Sequence, residues 1–177
     1  MKLFFYAQRL SKSIDTSKYF GLIGMSFGGI VATEIAKKFN PKFTILISSA
    51  ETKHELRSIY RWFGKLNVIR IFPKFCFNMP RPIAYYVFGA KNKNLLKNIL
   101  DDADMYFTKW AVNQISRWNN EDRINNCYKI GGTNDKLIPQ KNSKNITFIK
   151  NGTHFMIVDK SDDVSLWLNK CFLKEID

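Results

Sequence analysis

The sequence predicts an α/β fold in which a parallel sheet carries helices on its faces and a helical insertion interrupts it. Three observations predict it. A strand–helix–strand unit spans residues 18–48, the apolar periodicity changes character after Ala50, and strand–helix alternation resumes at Cys127.

Residues 2–14 read as a helix because Leu3, Tyr6, Ala7, Leu10 and Ile14 fall on one face. The run from Lys18 to Met25 is apolar through Tyr19, Phe20, Leu22 and Ile23 and ends in glycine and serine. That pattern reads as a buried strand of a parallel sheet. Helical spacing follows over 27–39, through Ile30, Val31, Ile35 and Phe39, and Asn40-Pro41 stops it. Lys42 to Ser48 is a second buried strand, so the unit is βαβ and its crossover is expected to be right-handed.

Residues 53–100 hold ten lysines and arginines against a single acid, Glu55, with aromatics and prolines interleaved. Short helices broken by proline are expected there. A clearer helix covers 103–118, where Phe107, Trp110, Ala111, Gln114, Ile115 and Trp118 share a face. Strands follow at Cys127–Ile130 and Ile146–Ile149. The last helix, starting near a Ser161 cap, aligns Val164, Trp167, Leu168, Cys171 and Phe172. The expected division is a core formed by 1–51 and 121–177, with 52–120 as a helical cap.

Composition bounds the class. The 177 residues are 45% hydrophobic and 15% aromatic, enough for one domain with its own core. No stretch approaches the roughly 20 apolar residues that span a bilayer, and the first residues hold too short an apolar run for a signal peptide. Cys76, Cys127 and Cys171 show no CxxC spacing and leave an odd thiol if two pair, which favours a reducing compartment. A soluble, cytoplasmic protein with no integral membrane segment is expected. The formal charge of +13 reflects lysine spread along the whole chain. Without an RNA-recognition, helix-turn-helix or zinc-finger signature, nucleic-acid binding is not expected. Two distant histidines and unclustered cysteines make no ligand set, so no metal or organic cofactor is implied.

Chemistry enters at the turns. Gly24-Met25-Ser26-Phe27-Gly28, followed by Gly29, is G-x-S-x-G between a predicted strand and a predicted helix. A serine on such a tight turn stands clear of the sheet, and a side chain at either flanking glycine, Gly24 or Gly28, is expected to collide as strand and helix approach. The backbone N–H of Phe27, at the helix N-terminus, then points at a forming oxyanion. A serine hydroxyl needs a base. His54 lies in a charged segment, whereas His154 lies in Asn151-Gly152-Thr153-His154-Phe155, a turn between a strand and the last helix. His154 is the better-placed base. Asp135, in Gly131-Gly132-Thr133-Asn134-Asp135-Lys136-Leu137-Ile138-Pro139, also follows a strand end. It reads either as the acceptor of the other imidazole N–H or as the aspartate of an Asx-turn.

These three segments, G-M-S-F-G-G, G-G-T-N-D-K-L-I-P and N-G-T-H-F-M-I-V, resemble the α/β-hydrolase superfamily over nearly the whole chain outside the insertion. The resemblance implies a catalytic triad of Ser26, Asp135 and His154, an oxyanion hole that includes Phe27, and a cap at 52–120. It implies a serine hydrolase acting on a carboxylic ester or thioester of a small to medium molecule. The acid loop departs from the family in one respect, since Gly131 stands where a histidine is common.

Matched to the family, the chain starts at the helix before the nucleophile strand. It is therefore expected to be the C-terminal part of a longer parent or the product of a truncated gene. The second oxyanion donor, which the family takes from an earlier loop, has no assignable residue here. The strand Lys18–Met25 is expected to become an open apolar sheet edge through which the chain self-associates. The rival expectation is a non-catalytic remnant acting as a binding module.

Trp62, Trp110 and Trp118 are the candidate substrate-binding residues of the cap, alongside the plainer reading that they build the cap's own core. The basic run reads as a site for an anionic substrate, as a surface lying against an acidic membrane, or as a solvated face.

Overall fold

Four short strands pair in the order in which they occur in the chain. The structure is a computed structural model that describes residues 1–140 and 143–176. Strands β1 (Gly21–Met25), β2 (Phe43–Ile47), β3 (Cys127–Gly132) and β4 (Ile146–Ile149) form one parallel sheet, ordered β1-β2-β3-β4. Met25 lies opposite Ile47, Ile47 opposite Ile130 and Gly132 opposite Ile149, so all four carboxyl ends reach one rim.

Central strand β2 is buried on both faces. Ile45 and Ile47 enter a cluster with Met156, Val164 and Cys171, while the alternate residues Thr44 and Leu46 are also fully buried. Period-two geometry sends successive side chains to opposite faces, so a strand covered on both sides must be apolar almost throughout. Helices α1 (Leu3–Ser11) and α2 (Phe27–Phe39) pack together through Leu3, Ala7, Ile30, Val31 and Ile35. Asn40, in the left-handed region at φ 44°, ends α2 before Pro41. The chain closes with α8 (Met156–Asp159) and α9 (Ser161–Ile176), whose Val164 and Cys171 cover Ile45 and Ile47.

Between β2 and β3 run α3 (Ser58–Lys65), α4 (Val68–Ile71), α5 (Arg81–Phe88), α6 (Lys93–Asp101) and α7 (Met105–Arg117), with 3-10 turns at Lys53–Glu55 and Lys74–Phe77. Pro73 and Pro80 stand at the amino ends of the second turn and of α5, where a missing N–H costs nothing. The side chains of Asn92 and Asp104 cap α6 and α7, accepting from the N–H groups of Leu95 and Tyr106.

A buried ionic cluster ties both ends of this helical segment to the sheet. Lys129 of β3, 2% exposed, sets its Nζ 3.0 Å from Glu51 Oε2 and 2.9 Å from Glu55 Oε1. Arg123 adds a 2.8 Å contact to Glu51, whose other oxygen accepts from the Ile124 N–H. Glu51 and Glu55 open the segment, and Arg123 and Ile124 close it.

Several expectations need correcting. The first helix ends at Ser11 rather than at residue 14, and Leu10 on its expected apolar face is 40% exposed. The first strand begins at Gly21. Tyr19 before it is 96% exposed and Ile23 within it 53% exposed, because β1 lies at the edge of the sheet and is not a buried strand. Ser161 is the first residue of α9 rather than its cap, and the carbonyl of Lys160 accepts the Val164 N–H. No helix among the described residues is long and apolar enough to cross a membrane.

Candidate active site

Ser26 occupies a backbone position that L-residues rarely adopt, φ 50° and ψ −122°. Strain of this kind costs on the order of 1–3 kcal/mol and persists only where the surroundings over-determine it. Here the turn is braced from several directions. The Ser26 N–H donates to the Ile47 carbonyl at 3.0 Å. The Ser26 carbonyl accepts from Gly29 N–H at 3.0 Å and from Ser49 Oγ at 2.6 Å. Ser49 is itself 0% exposed, and its carbonyl accepts from the Gln140 side-chain amide.

The glycines around Ser26 divide the work differently from the expectation. A Cβ at Gly24 would collide with the backbone of Gly28 and Gly29, as expected, but a Cβ at Gly28 would meet nothing within 4 Å. The crowded partner is Gly29, where a Cβ would drive into the Ser49 side chain. Helix α2 rotates Gly28 toward solvent and turns Gly29 onto the sheet, so the second glycine of the motif is not the one that packing requires.

Loops at the same rim deliver two further side chains. His154 Nε2 lies 2.9 Å from Ser26 Oγ, and His154 Nδ1 lies 2.9 Å from Asp135 Oδ2. A carboxylate oxygen only accepts, so Nδ1 carries the hydrogen and donates, leaving Nε2 to accept from the serine hydroxyl. Both Asp135 and His154 are nearly inaccessible, at 4% and 2%, while Ser26 is half-buried. Asp135 realises both sequence readings at once. Its Oδ2 faces the imidazole, and its Oδ1 accepts from the N–H groups of Leu137 and Ile138, each at 2.9 Å. An alcohol, an imidazole and a carboxylate aligned in this way can pass the hydroxyl proton to the ring as the oxygen attacks an electrophile.

Sequence patterns missed the residues that hold this arrangement from the segment between β2 and β3. The Phe88 ring stands edge-on to the His154 imidazole, centroids 5.7 Å apart at 70°. The Phe155 N–H donates to the Phe88 carbonyl, and Gly89 lies against Thr153. Arg57 and Tyr60 donate to the carbonyls of Lys136 and Leu137, and the Lys136 ammonium sits 3.2 Å from the centroid of the Tyr86 ring. Burial pushes the Tyr60 phenol above its usual pKa. None of these contacts carries a local spacing signal, because each joins elements tens of residues apart.

The remaining candidates are scattered. Phe27 opens α2 and packs on Tyr6, Phe107 and Trp110, its ring 5.6 Å from Trp110 at 89°. Trp110 donates its indole N–H to the Met1 carbonyl. Of the three tryptophans, it is the one that packs on the residue after Ser26. Trp118 is 7% exposed in the core around Leu3 and Ile30 and donates to Glu34 Oε1 at 2.8 Å. Trp62 is 55% exposed beside Phe63. Trp62 and Trp118 line a cleft of about 770 Å³ between α3 and the end of α7 that none of Ser26, Asp135 and His154 lines. His54 sits on an exposed turn, its Nε2 3.9 Å from Glu121. Cys76, Cys127 and Cys171 form no disulfide among the described residues, and no group of His, Cys, Asp or Glu among the described residues could hold a metal ion.

No protein-family model matches the sequence, and no curated protein matches it. Solved structures do. An esterase from Thermogutta terrifontis superposes at TM-score 0.66 with 15% identity, over 99% of this chain and 73% of that one. MenH from S. aureus gives 0.65 at 18% identity, covering 99% and 77%. A bromoperoxidase from Bacillus anthracis gives 0.68 at 12% identity, covering 97% and 74%. Such identities speak for architecture and not for chemistry. On the sheet, its flanking helices and these superpositions, the chain has the α/β-hydrolase fold.

Proposed function

We propose that the chain is a serine hydrolase that cleaves a carboxylic ester or thioester of a small to medium molecule through an acyl-enzyme on Ser26. One observation carries the reading: the continuous hydrogen-bonded line from Ser26 Oγ through His154 to Asp135, with both links at 2.9 Å. The esterase and MenH among the similar structures support it at the level of the fold.

In this reading His154 Nε2 takes the proton as Ser26 Oγ attacks the acyl carbon. Asp135 holds the ring in the tautomer that can do so and stabilises the imidazolium. The Phe27 N–H, at the start of α2, donates to the oxyanion of the tetrahedral intermediate, where the helix dipole also favours negative charge. The imidazolium protonates the departing alcohol or thiol. His154 then activates a water that releases the acid and regenerates Ser26. Residues 52–120 act as the cap over this rim. Trp110, packed on Phe27, is the best placed of the three tryptophans to meet the acyl group.

A fluorophosphonate probe tests the reading directly, since it reacts only with an activated serine. Labelling of the chain at Ser26, abolished by Ser26→Ala and by His154→Ala, is the expected result. A folded chain that resists the probe, or labelling that survives Ser26→Ala, would sink the proposal and leave a non-catalytic binding module.

A further inference from the structure

Helix α3 turns its apolar side outward. Ile59, Trp62, Phe63 and Leu66 recur at the i, i+3, i+4, i+7 spacing of one helical face, and all four are between 36% and 55% exposed. A surface helix ordinarily buries such a stripe. What α3 buries is its opposite side. Gly64 lies so close to the Ser116 carbonyl that a Cβ there would collide with it, and the Tyr60 hydroxyl donates to the Leu137 carbonyl. Further along the same segment, Ile71, Phe72 and Phe75 are exposed as well. Exposed apolar surface this concentrated marks an interaction site.

Its charge indicates the partner. Residues 56–100 contain nine lysines and arginines and no aspartate or glutamate. Lys65 and Arg70, close to these apolar residues in sequence, are exposed. Beside α3, the cleft of about 770 Å³ is lined by Lys53, Arg61, Lys65 and Arg117 with Trp62, and no carboxylate lines it. The Arg61 Nε is buried and has no hydrogen-bond partner among the described residues. A donor left in that state gains most from an anionic oxygen. A second copy of the chain is the poorer occupant, because apposing two such faces would set cations against cations.

We propose that the α3 face docks on an anionic bilayer surface. The stripe of Ile59, Trp62, Phe63 and Leu66 enters the headgroup boundary, and Arg61, Lys65 and Arg117 engage lipid phosphates. Tryptophan, phenylalanine and leucine on one side of a helix with lysine and arginine beside them suit this depth. The assignment does not depend on the chemistry of Ser26.

The test is flotation of the full chain with vesicles of phosphatidylcholine alone and with phosphatidylserine added. Association with the anionic vesicles only, weakening as salt rises, is expected. Tryptophan emission should shift to the blue on binding, and Trp62→Phe should remove most of that shift while the chain still floats. Arg61→Gln with Lys65→Gln should weaken partitioning about fivefold per charge removed. Trp62→Ser with Phe63→Ser should weaken it by about tenfold or more. The exposed pair Lys12→Gln with Lys150→Gln, on other surfaces, serves as control. Three outcomes would overturn the proposal: no binding to anionic vesicles, equal loss from the control pair, or a dimer in sedimentation that Trp62→Ser dissociates.

Discussion

Phe88 stands edge-on to the imidazole of His154, ring centroids 5.7 Å apart. A residue of α5, far from the sheet in sequence, therefore packs on the side chain that links Ser26 to Asp135. Replacing Phe88 by alanine removes a contact of about 0.5–1.5 kcal/mol and loosens the ring. The rate of fluorophosphonate labelling at Ser26 should fall about two- to tenfold, with circular dichroism unchanged. A rate equal to that of the parent would mean the ring is held by Asp135 alone.

Gly28 and Gly29 should respond in opposite ways to alanine. At Gly28 the added methyl meets open space on a helix, where alanine is favoured by up to ~1 kcal/mol. At Gly29 it meets Ser49, whose hydroxyl braces the strained Ser26 carbonyl. Overpacking there should cost about 1–3 kcal/mol and slow the probe as well. Urea midpoints of the two variants, moving to either side of the parent, are the measurement.

Lys129 is the only cation among the described residues that contacts both Glu51 and Glu55 from inside the sheet. Lys129→Met leaves the buried Glu51 and Glu55 with Arg123 as their shared cation, 2.8 and 3.7 Å away, and should destabilise the chain by about 3–5 kcal/mol. Adding Glu51→Gln and Glu55→Gln removes the excess buried negative charge, so the triple variant should recover part of the loss. Chemical denaturation with an unchanged slope would check both statements.

Of the three thiols, Cys76 is exposed, Cys171 is buried, and burial pushes the Cys127 thiol up to about 12. Since the thiolate is the nucleophile, Cys127 at neutral pH is ionised in roughly one molecule in 10⁵. Cys76 should react with an aromatic disulfide reagent in the native state. Cys171 should react only on unfolding and the half-buried Cys127 far more slowly than Cys76, so native labelling of Cys127 as fast as that of Cys76 would contradict its raised pKa.

Strand β1 offers an uncovered edge with Ile23 exposed on it. Edges of this kind recruit other strands. Self-association through it is expected, and Ile23→Lys should shift the sedimentation profile toward monomer. Association that ignores Ile23→Lys yet disappears with Trp62→Ser would arise from α3 instead.

The order of elements and the candidate residues of the rim were legible in the sequence alone, because both are written in local signals. Helix α2 and strand β4 fall at the residues their periodicity predicts, and the G-x-S-x-G turn announces itself by glycines on either side of a serine. Chain order also singled out Asp135 and His154, since in a parallel sheet the loops after successive strands share one rim. The tertiary structure alone decided what those signals do not encode. It brought His154 to within 2.9 Å of both Ser26 and Asp135, and put Gly29 rather than Gly28 against the sheet. It buried Trp118, left Trp62 in solvent and turned the apolar stripe of α3 outward. The physical reason is common to all of these. Periodicity reports which face of an element is apolar, but which neighbour covers that face depends on contacts between residues 19 to 128 positions apart, for which one sequence carries no local trace.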